Sequence, residues 1–393
     1  MARTAQTQRA YTGPALWSRG FRPFFLAAGI WAALAIAIWP AILMGRVTLP
    51  TAFGPVDWHV HEMLFGYGAA VVAGFLLTAI PNWTGRLPVA GASLAALAGL
   101  WLAGRIAVLM SGSIGWTGAL LIDSAFLLAF ALVTAREIVA GKNWRNAKVV
   151  GIVLMLAIAN IAFHLEAAWT GSATFAARAG IGLLVLLILL VGGRVVPSFT
   201  GNWLARQGLP ARPVPFGRPD GAILLLAAAA LLVWIAHPEG PLTGTLLLCA
   251  GMANLWRLAR WQGWRTLSDP LVLVLHVGFA LTAIGFLAAA AHAFAPSMVP
   301  AALGLHIWAI GGIGGMTLAI MTRATLGHTG RALHASRLTV LIYLAIAAAL
   351  LTRAVAALPV PHQMPLIHLS ATLWVIAFVL FLMSYGRMLY RRS

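Results

Sequence analysis

Twelve separate runs of mainly apolar residues, each long enough to cross a bilayer, dominate this chain of 393 residues. They fall at about 21–44, 58–80, 88–110, 116–136, 147–169, 174–196, 220–237, 241–259, 270–292, 301–322, 337–357 and 363–386. A lipid core needs about 20 apolar residues per helix. Inside it a segment must satisfy its own backbone N–H and C=O groups, so each run reads as an α-helix. Composition removes the water-soluble alternative. Only 9% of residues are charged and 61% are hydrophobic, against about 25% charged in soluble domains. The expected fold class is an all-α polytopic membrane protein of 12 transmembrane helices, one integral membrane domain over 1–393. The links are short. The longest, about 197–219, holds Pro197, Pro210, Pro213, Pro215 and Pro219, which favour an extended or turning path over helix. The single cysteine, Cys249, excludes an intramolecular disulfide, an iron–sulfur cluster and a CxxC metal site.

The net charge of +18 raises nucleic acid as a partner, but the placement of the charges argues for membrane topology. With the N-terminus in the cytoplasm, 22 of the 26 Lys and Arg residues fall in cytoplasmic segments. This is the positive-inside pattern. It places both termini in the cytoplasm and requires no nucleic acid. Arg46, Arg105, Arg178 and Arg353 fall toward the other side. The first apolar run follows Arg3, Arg9, Arg19 and Arg22. It is long enough to span and lacks a convincing cleavage site, so it reads as a span rather than a signal peptide.

The second, sixth and tenth helices resemble one another. WHVHEMLFGYGAAVVAGFLLTAIPNWTGR (58–86) overlies LGLHIWAIGGIGGMTLAIMTRATLGHTGR (303–331) without a gap. His61 then falls on His306, Gly66 on Gly311, and Thr84-Gly85-Arg86 on Thr329-Gly330-Arg331. The segment 174–202 overlies the first at an offset of 116, matching Pro197 to Pro81 and Thr200-Gly201 to Thr84-Gly85. The period predicts three four-helix units, about 1–137, 138–260 and 261–393, around a pseudo-threefold axis. Ordinary similarity between Ala/Gly-rich spans is the competing explanation.

Eight of the eleven histidines lie near the outer face in this orientation. Ionisable groups inside a span are costly, so they face a cavity or a partner. His237, His292 and His362 are explained by interfacial water. His61, His164, His276, His306 and His368 lie deeper and are candidate metal ligands or relay groups. Imidazole suits copper and haem iron. His306 precedes Gly311, Gly312, Gly314 and Gly315, and His61 precedes Gly66 and Gly68; such small residues let a flat haem approach, or simply let helices pack. His59 and His61, two residues apart, point about 200° from each other and should serve different partners. Arg178 and Arg353 are candidate propionate clamps, and solvated helix ends are the plainer reading. Glu62, Glu166 and Asp123 are candidates for proton delivery.

Four stretches are recognisable together: FRPFF (21–25), DWHVHEMLFGYGAAVVAGFLLTAIPNWTGR (57–86), GGRVVPSFTGNWL (192–204) and MTRATLGHTGR (321–331). Along essentially its whole length the chain resembles the NnrS family of bacterial inner-membrane proteins. That resemblance implies haem and copper as cofactors and a role in nitric oxide metabolism, denitrification and defence against nitrosative stress. The four-helix period adds a distant likeness to haem–copper oxidases, in which a low-spin haem lies between histidines of the second and tenth helices. The likeness makes His61 and His306 the expected axial ligands of a haem b. It does not extend to copper, because helix 6 here holds no histidine and helix 10 holds only His306. His59, His164, His276 and His368 are then the remaining metal candidates.

The resulting expectation is a haem- and copper-binding oxidoreductase that reduces or otherwise detoxifies nitric oxide at a periplasm-facing site, fed by quinol or a periplasmic electron donor. Two alternatives stand beside it: a transporter of a metal ion or haem, and a protein that binds nitric oxide or copper without turnover.

Overall fold

The protein's structure, a computed structural model, describes residues 11–210 and 212–392. Twelve long helices account for most of them. They are α1 (Phe21–Leu43), α2 (Pro55–Thr84), α3 (Ala92–Leu109), α4 (Ser111–Ala140), α5 (Ala147–Thr170) and α6 (Thr174–Arg206). The series continues with α7 (Arg218–Ala236), α8 (Pro241–Ala259), α9 (Pro270–Phe294), α10 (Ala301–His328), α11 (Arg337–Ala357) and α12 (Gln363–Tyr390). Eleven of these are long and apolar enough to cross a membrane. The twelfth, α8, has the bounds expected from the sequence but carries Asn254 and Arg257. Leu121, Leu132, Leu225 and Leu232 stand largely exposed on helix faces. Such surfaces are stable only against hydrocarbon, so the protein is a multi-pass membrane protein.

Local signals set the helix ends. Proline opens α2, α8 and α9 at the first helical position, where its missing N–H costs nothing. Asp269 and Ser336 cap α9 and α11 by accepting from Leu271 N and Thr339 N. At the end of α2, Gly85 takes φ +69° and returns its N–H to Pro81 O. This is the left-handed cap that only glycine adopts without strain; Gly330 repeats it at φ +72°, whereas Gly201 lies inside α6.

Two expectations about length are corrected. The segment after 196 does not leave the helix at Pro197, because α6 continues to Arg206. Pro197 removes only its own N–H, and the helix continues past it with the Thr200 hydroxyl donating to Val196 O. Likewise α10 runs to His328, a residue the sequence places in a loop.

Both α2 and α10 contain a π-helical stretch, Glu62–Gly68 and Ile307–Gly314. Each begins at the residue after the aligned histidine, His61 or His306. π-Segments are rare and concentrate at functional sites. Two of them at the offset of the sequence repeat tie these helices together by local geometry as well as by residue identity.

The contacts divide the chain into two compact units. The first holds residues 11–180 with 324–331 and 381–392. In it α1 packs along α2, and α4 packs against α2, α3 and α5. The second holds 181–323 and 332–380. In it α8 packs between α7 and α9, and α9 and α11 pack on α10.

Candidate metal centre

Four helices of the first unit bring ionisable side chains into one buried layer. His61 lies six residues into α2, and His164 lies six residues before the end of α5. At about 1.5 Å per residue both are about 9 Å from their helix ends. Because α2 and α5 run in opposite directions through the unit, these are neighbouring ends. Asp123 of α4 and Arg105 of α3 reach the same level. The approach of α3 and α4 depends on Gly104: a Cβ there would stand 2.6 Å from Asp123 Oδ1 and 3.1 Å from its Cα.

The contacts are close and nearly free of solvent. His61 Nε2 is 3.1 Å from Asp123 Oδ2, and His164 Nε2 is 3.0 Å from the same oxygen. The three ligand-capable atoms of His61, Asp123 and His164 all lie within 4.8 Å of one another. His61 Nδ1 is 3.2 Å from Glu62 Oε1. Arg105 bridges the two carboxylates, donating from Nη1 to Glu62 Oε1 at 2.7 Å and from Nη2 to Asp123 Oδ1. Asn160 of α5 donates from Nδ2 to Asp123 Oδ2 at 2.8 Å, and the same nitrogen is 3.2 Å from His61 Nε2. His61, Glu62 and Asn160 are wholly buried, and Asp123 and Arg105 are 2% exposed.

Charge is the informative quantity here. Two buried carboxylates face one guanidinium. One negative charge is left over, at a depth where desolvating an ion costs several kcal/mol. Either a proton held between the imidazoles or a bound cation must balance it. Two imidazoles and a carboxylate suit a first-row transition metal, a set that also serves non-haem iron. A buried atom left over nearby, Asn160 Oδ1, adds a donor that an ion could recruit. Glu62 on His61 Nδ1 is the kind of outer partner that fixes a ligating ring.

The residues fit an ion better than a porphyrin. Both nitrogens of His61 are engaged. Phe53, Phe65, Phe163 and His164 pack on its ring at centroid distances of 5.4, 5.1, 5.2 and 5.0 Å. A haem needs an open slab at the ligating nitrogen, and these rings close around it. His61 as a haem ligand is therefore not supported by its surroundings.

The other candidates have separate settings. His59 stacks on Trp39 at 4.3 Å, so the two histidines of the His-x-His pair do serve different partners. Glu166 accepts from Phe175 N at 2.8 Å and Ala176 N at 2.7 Å. It caps α6, and Arg178 is within electrostatic reach of it. In the second unit, His276 Nε2 meets the Thr200 hydroxyl at 2.8 Å, and half-buried His368 accepts at its carbonyl from Thr372. His306 Nδ1 is 2.7 Å from Ala302 O. A donating Nδ1–H there fixes the tautomer and leaves the Nε2 lone pair to ligate. Arg353 is within electrostatic reach of His306.

A cavity of about 460 Å³ opens at the opposite end of α2, lined in part by Arg86, Ser93, Arg136 and Glu137. It contains no imidazole, and its two arginines are exposed and paired with Glu137. Sequence reasoning placed Arg105 on the outward side, as a solvated helix end or an anion clamp, and passed over Asn160. A charge or amide inside an apolar run was the available signal, but it does not say which helix faces which.

The family model described as NnrS protein matches residues 15–393. Nothing among curated proteins matches the chain. With a match over nearly the entire length, the chain belongs to the NnrS family.

Proposed function

We propose that the protein is a metal-dependent handler of nitric oxide, with a transition-metal ion held by His61, Asp123 and His164. The observation that carries this reading is the buried cluster with one carboxylate charge unbalanced by Arg105. Family membership supports nitric oxide as the ligand. Copper or iron at such a site supplies an electron-transferring centre that binds a small diatomic molecule. The chain's own residues do the rest. Glu62 orients the His61 ring through Nδ1, and Arg105 fixes both carboxylates. Asn160 holds Asp123 Oδ2. The shell of Phe53, Phe65 and Phe163 excludes water, which strengthens every charge interaction within it. Asp123 and Glu62 are also the nearest carboxylates for carrying protons.

Metal analysis of purified protein and nitric oxide consumption by cells test this reading together. Wild type should hold about one copper or iron ion in this site. His61→Ala and His164→Ala should lose it along with nitric oxide consumption. Metal retained at full stoichiometry in both variants sinks the proposal. Metal lost without any change in nitric oxide consumption makes the site a binding or structural centre.

A second reading concerns haem b and rests on His306. Its Nδ1 contact with Ala302 O and the nearby Arg353 fit one axial ligand and one propionate partner. A Soret band that disappears in His306→Ala but survives in His61→Ala supports it, and a band unchanged in His306→Ala rejects it. The positive-inside pattern supports an orientation in a bacterial inner membrane with both termini cytoplasmic and the cluster near the periplasmic face. A reporter fused after Ser393 that is active only in the periplasm would overturn that orientation.

A further inference from the structure

A second uncompensated charge lies at the other end of α2. The cavity of about 460 Å³ there is built by three segments of the first unit: the turn after α2, the start of α3 and the last turn of α4. Asn143 Nδ2 donates to Trp83 O, which ties the segment after α4 to the end of α2. Buried Glu137 gathers both arginines of the lining. Its Oε2 accepts from Arg86 Nε at 2.6 Å and its Oε1 from Arg136 Nε at 3.0 Å, with Arg136 Nη2 2.8 Å from the same oxygen. Both carboxylate oxygens are engaged, and two positive charges face one negative. The Nη groups of Arg86 and Nη1 of Arg136 make no hydrogen bond among the described residues. Ser93, the second residue of α3, also lines the cavity. That helix has no side-chain cap, which leaves N–H groups of its first turn and the positive end of its dipole at this wall.

The lining selects an anion. It offers donors and one surplus positive charge, and no carboxylate oxygen is left over for a cation. The planar fork of arginine suits the oxygens of a phosphate. The volume falls in the range of small-molecule sites, about 300–1,000 Å³, so the cavity takes more than a bare ion. Its position favours a lipid over a solute. A spanning helix ends at headgroup level, and Trp83 and exposed Trp144 lie on the two segments tied by Asn143, as interfacial indoles do. An apolar crevice lined by Leu77, Ile80 and Pro81 adjoins the cavity through Leu87 and Val89, and Leu87 is itself exposed. A charged mouth with an apolar flank matches a phospholipid, whose phosphate and chains divide in the same way. Basic pockets between spanning helices bind anionic headgroups by this chemistry.

We propose that this cavity binds the headgroup of an anionic phospholipid, with Arg86 and Arg136 on its phosphate. Nothing in the proposal depends on the metal centre, which lies at the opposite end of α2. A soluble organic phosphate shares the chemistry, and the test separates the two sources.

The full-length protein in neutral detergent is titrated with phosphatidylglycerol, with phosphatidylcholine or with glycerol phosphate, and binding is read by native mass spectrometry. Wild type should take up its first phosphatidylglycerol more tightly than phosphatidylcholine. A basic residue near the surface contributes about 1 kcal/mol toward an anionic lipid, which is about fivefold. Arg86→Gln and Arg136→Gln should each weaken that binding about fivefold. Ser93→Glu places a carboxylate in the cavity at the start of α3, where it suits the helix dipole and keeps the fold. It should abolish the preference for phosphatidylglycerol. Equal uptake of the two lipids by wild type overturns the proposal, and so does an undiminished preference in Ser93→Glu. Glycerol phosphate binding that the same substitutions weaken, with no preference between the lipids, also overturns it and makes the cavity a site for a soluble phosphate. Should Arg86→Gln fail to fold, Arg136→Gln and Ser93→Glu decide by the same readout.

Discussion

Replacing Asp123 with asparagine keeps the shape of the side chain and deletes its charge, which makes it the most direct probe of the cluster. Asp123 is the hub: Oδ2 faces His61, His164 and Asn160, and Oδ1 faces Arg105. Breaking one partner out of a buried ion pair costs about 3–5 kcal/mol. If only about 2.7 kcal/mol of this falls on the bound ion, affinity drops about 100-fold, since each 1.4 kcal/mol is tenfold. The assay is thermal unfolding of the detergent-solubilised protein with and without Cu(II). At a metal concentration 100 times the wild-type Kd, binding stabilises the folded state by about 2.7 kcal/mol. With Kd raised 100-fold, the same metal concentration stabilises the variant by only about 0.4 kcal/mol. Asp123→Asn should therefore lose almost all metal-dependent stabilisation. In its metal-free form Glu62 and Arg105 still balance each other, so the loss should appear in the metal-dependent part of the stability. An Asp123→Asn protein with the wild-type metal-induced shift would refute the reasoning, because the leftover charge would then not be what draws the cation.

Gly104 is not itself a ligand, yet the methyl of Gly104→Ala would press on Oδ1 of the proposed ligand Asp123. It should weaken Cu(II) binding by about tenfold or more while leaving helix content unchanged, as calorimetry and circular dichroism would show. In the second unit, wholly buried Arg257 donates to Asp220 Oδ1 at 3.0 Å and to Asn254 Oδ1. Asp220→Ala leaves that guanidinium without its counter-charge and should cost about 3–5 kcal/mol of stability. Metal content in the first unit should be unaffected, and metal loss in Asp220→Ala would show that the ion is bound elsewhere.

Sequence and structure divided the work unequally. Helix number and position were legible because the bilayer imposes a length and a composition on each span, and α8 and α11 have the very bounds read from the sequence. Reading failed at Pro197, where a breaker signal gave way to a helix that runs on to Arg206, and at His328, where the helix outlasts its apolar run. The histidine-rich level was also visible, because imidazoles and carboxylates are conspicuous inside apolar runs. The pairing was not. The likeness in sequence joined His61 to His306, whereas the packing joins His61 to Asp123, Asn160 and His164.

Residue spacing fixes how deep a group lies in the membrane, because rise per residue is constant along a helix. It says nothing of which helix lies alongside, since every apolar face is an equally good neighbour in hydrocarbon. Here that choice was made by contacts too local to read in advance, such as the missing side chain of Gly104 that admits Asp123 and the guanidinium of Arg105 that spans two carboxylates. The sequence by itself determined a membrane protein with buried ligands at one level. Tertiary packing alone decided which of them meet.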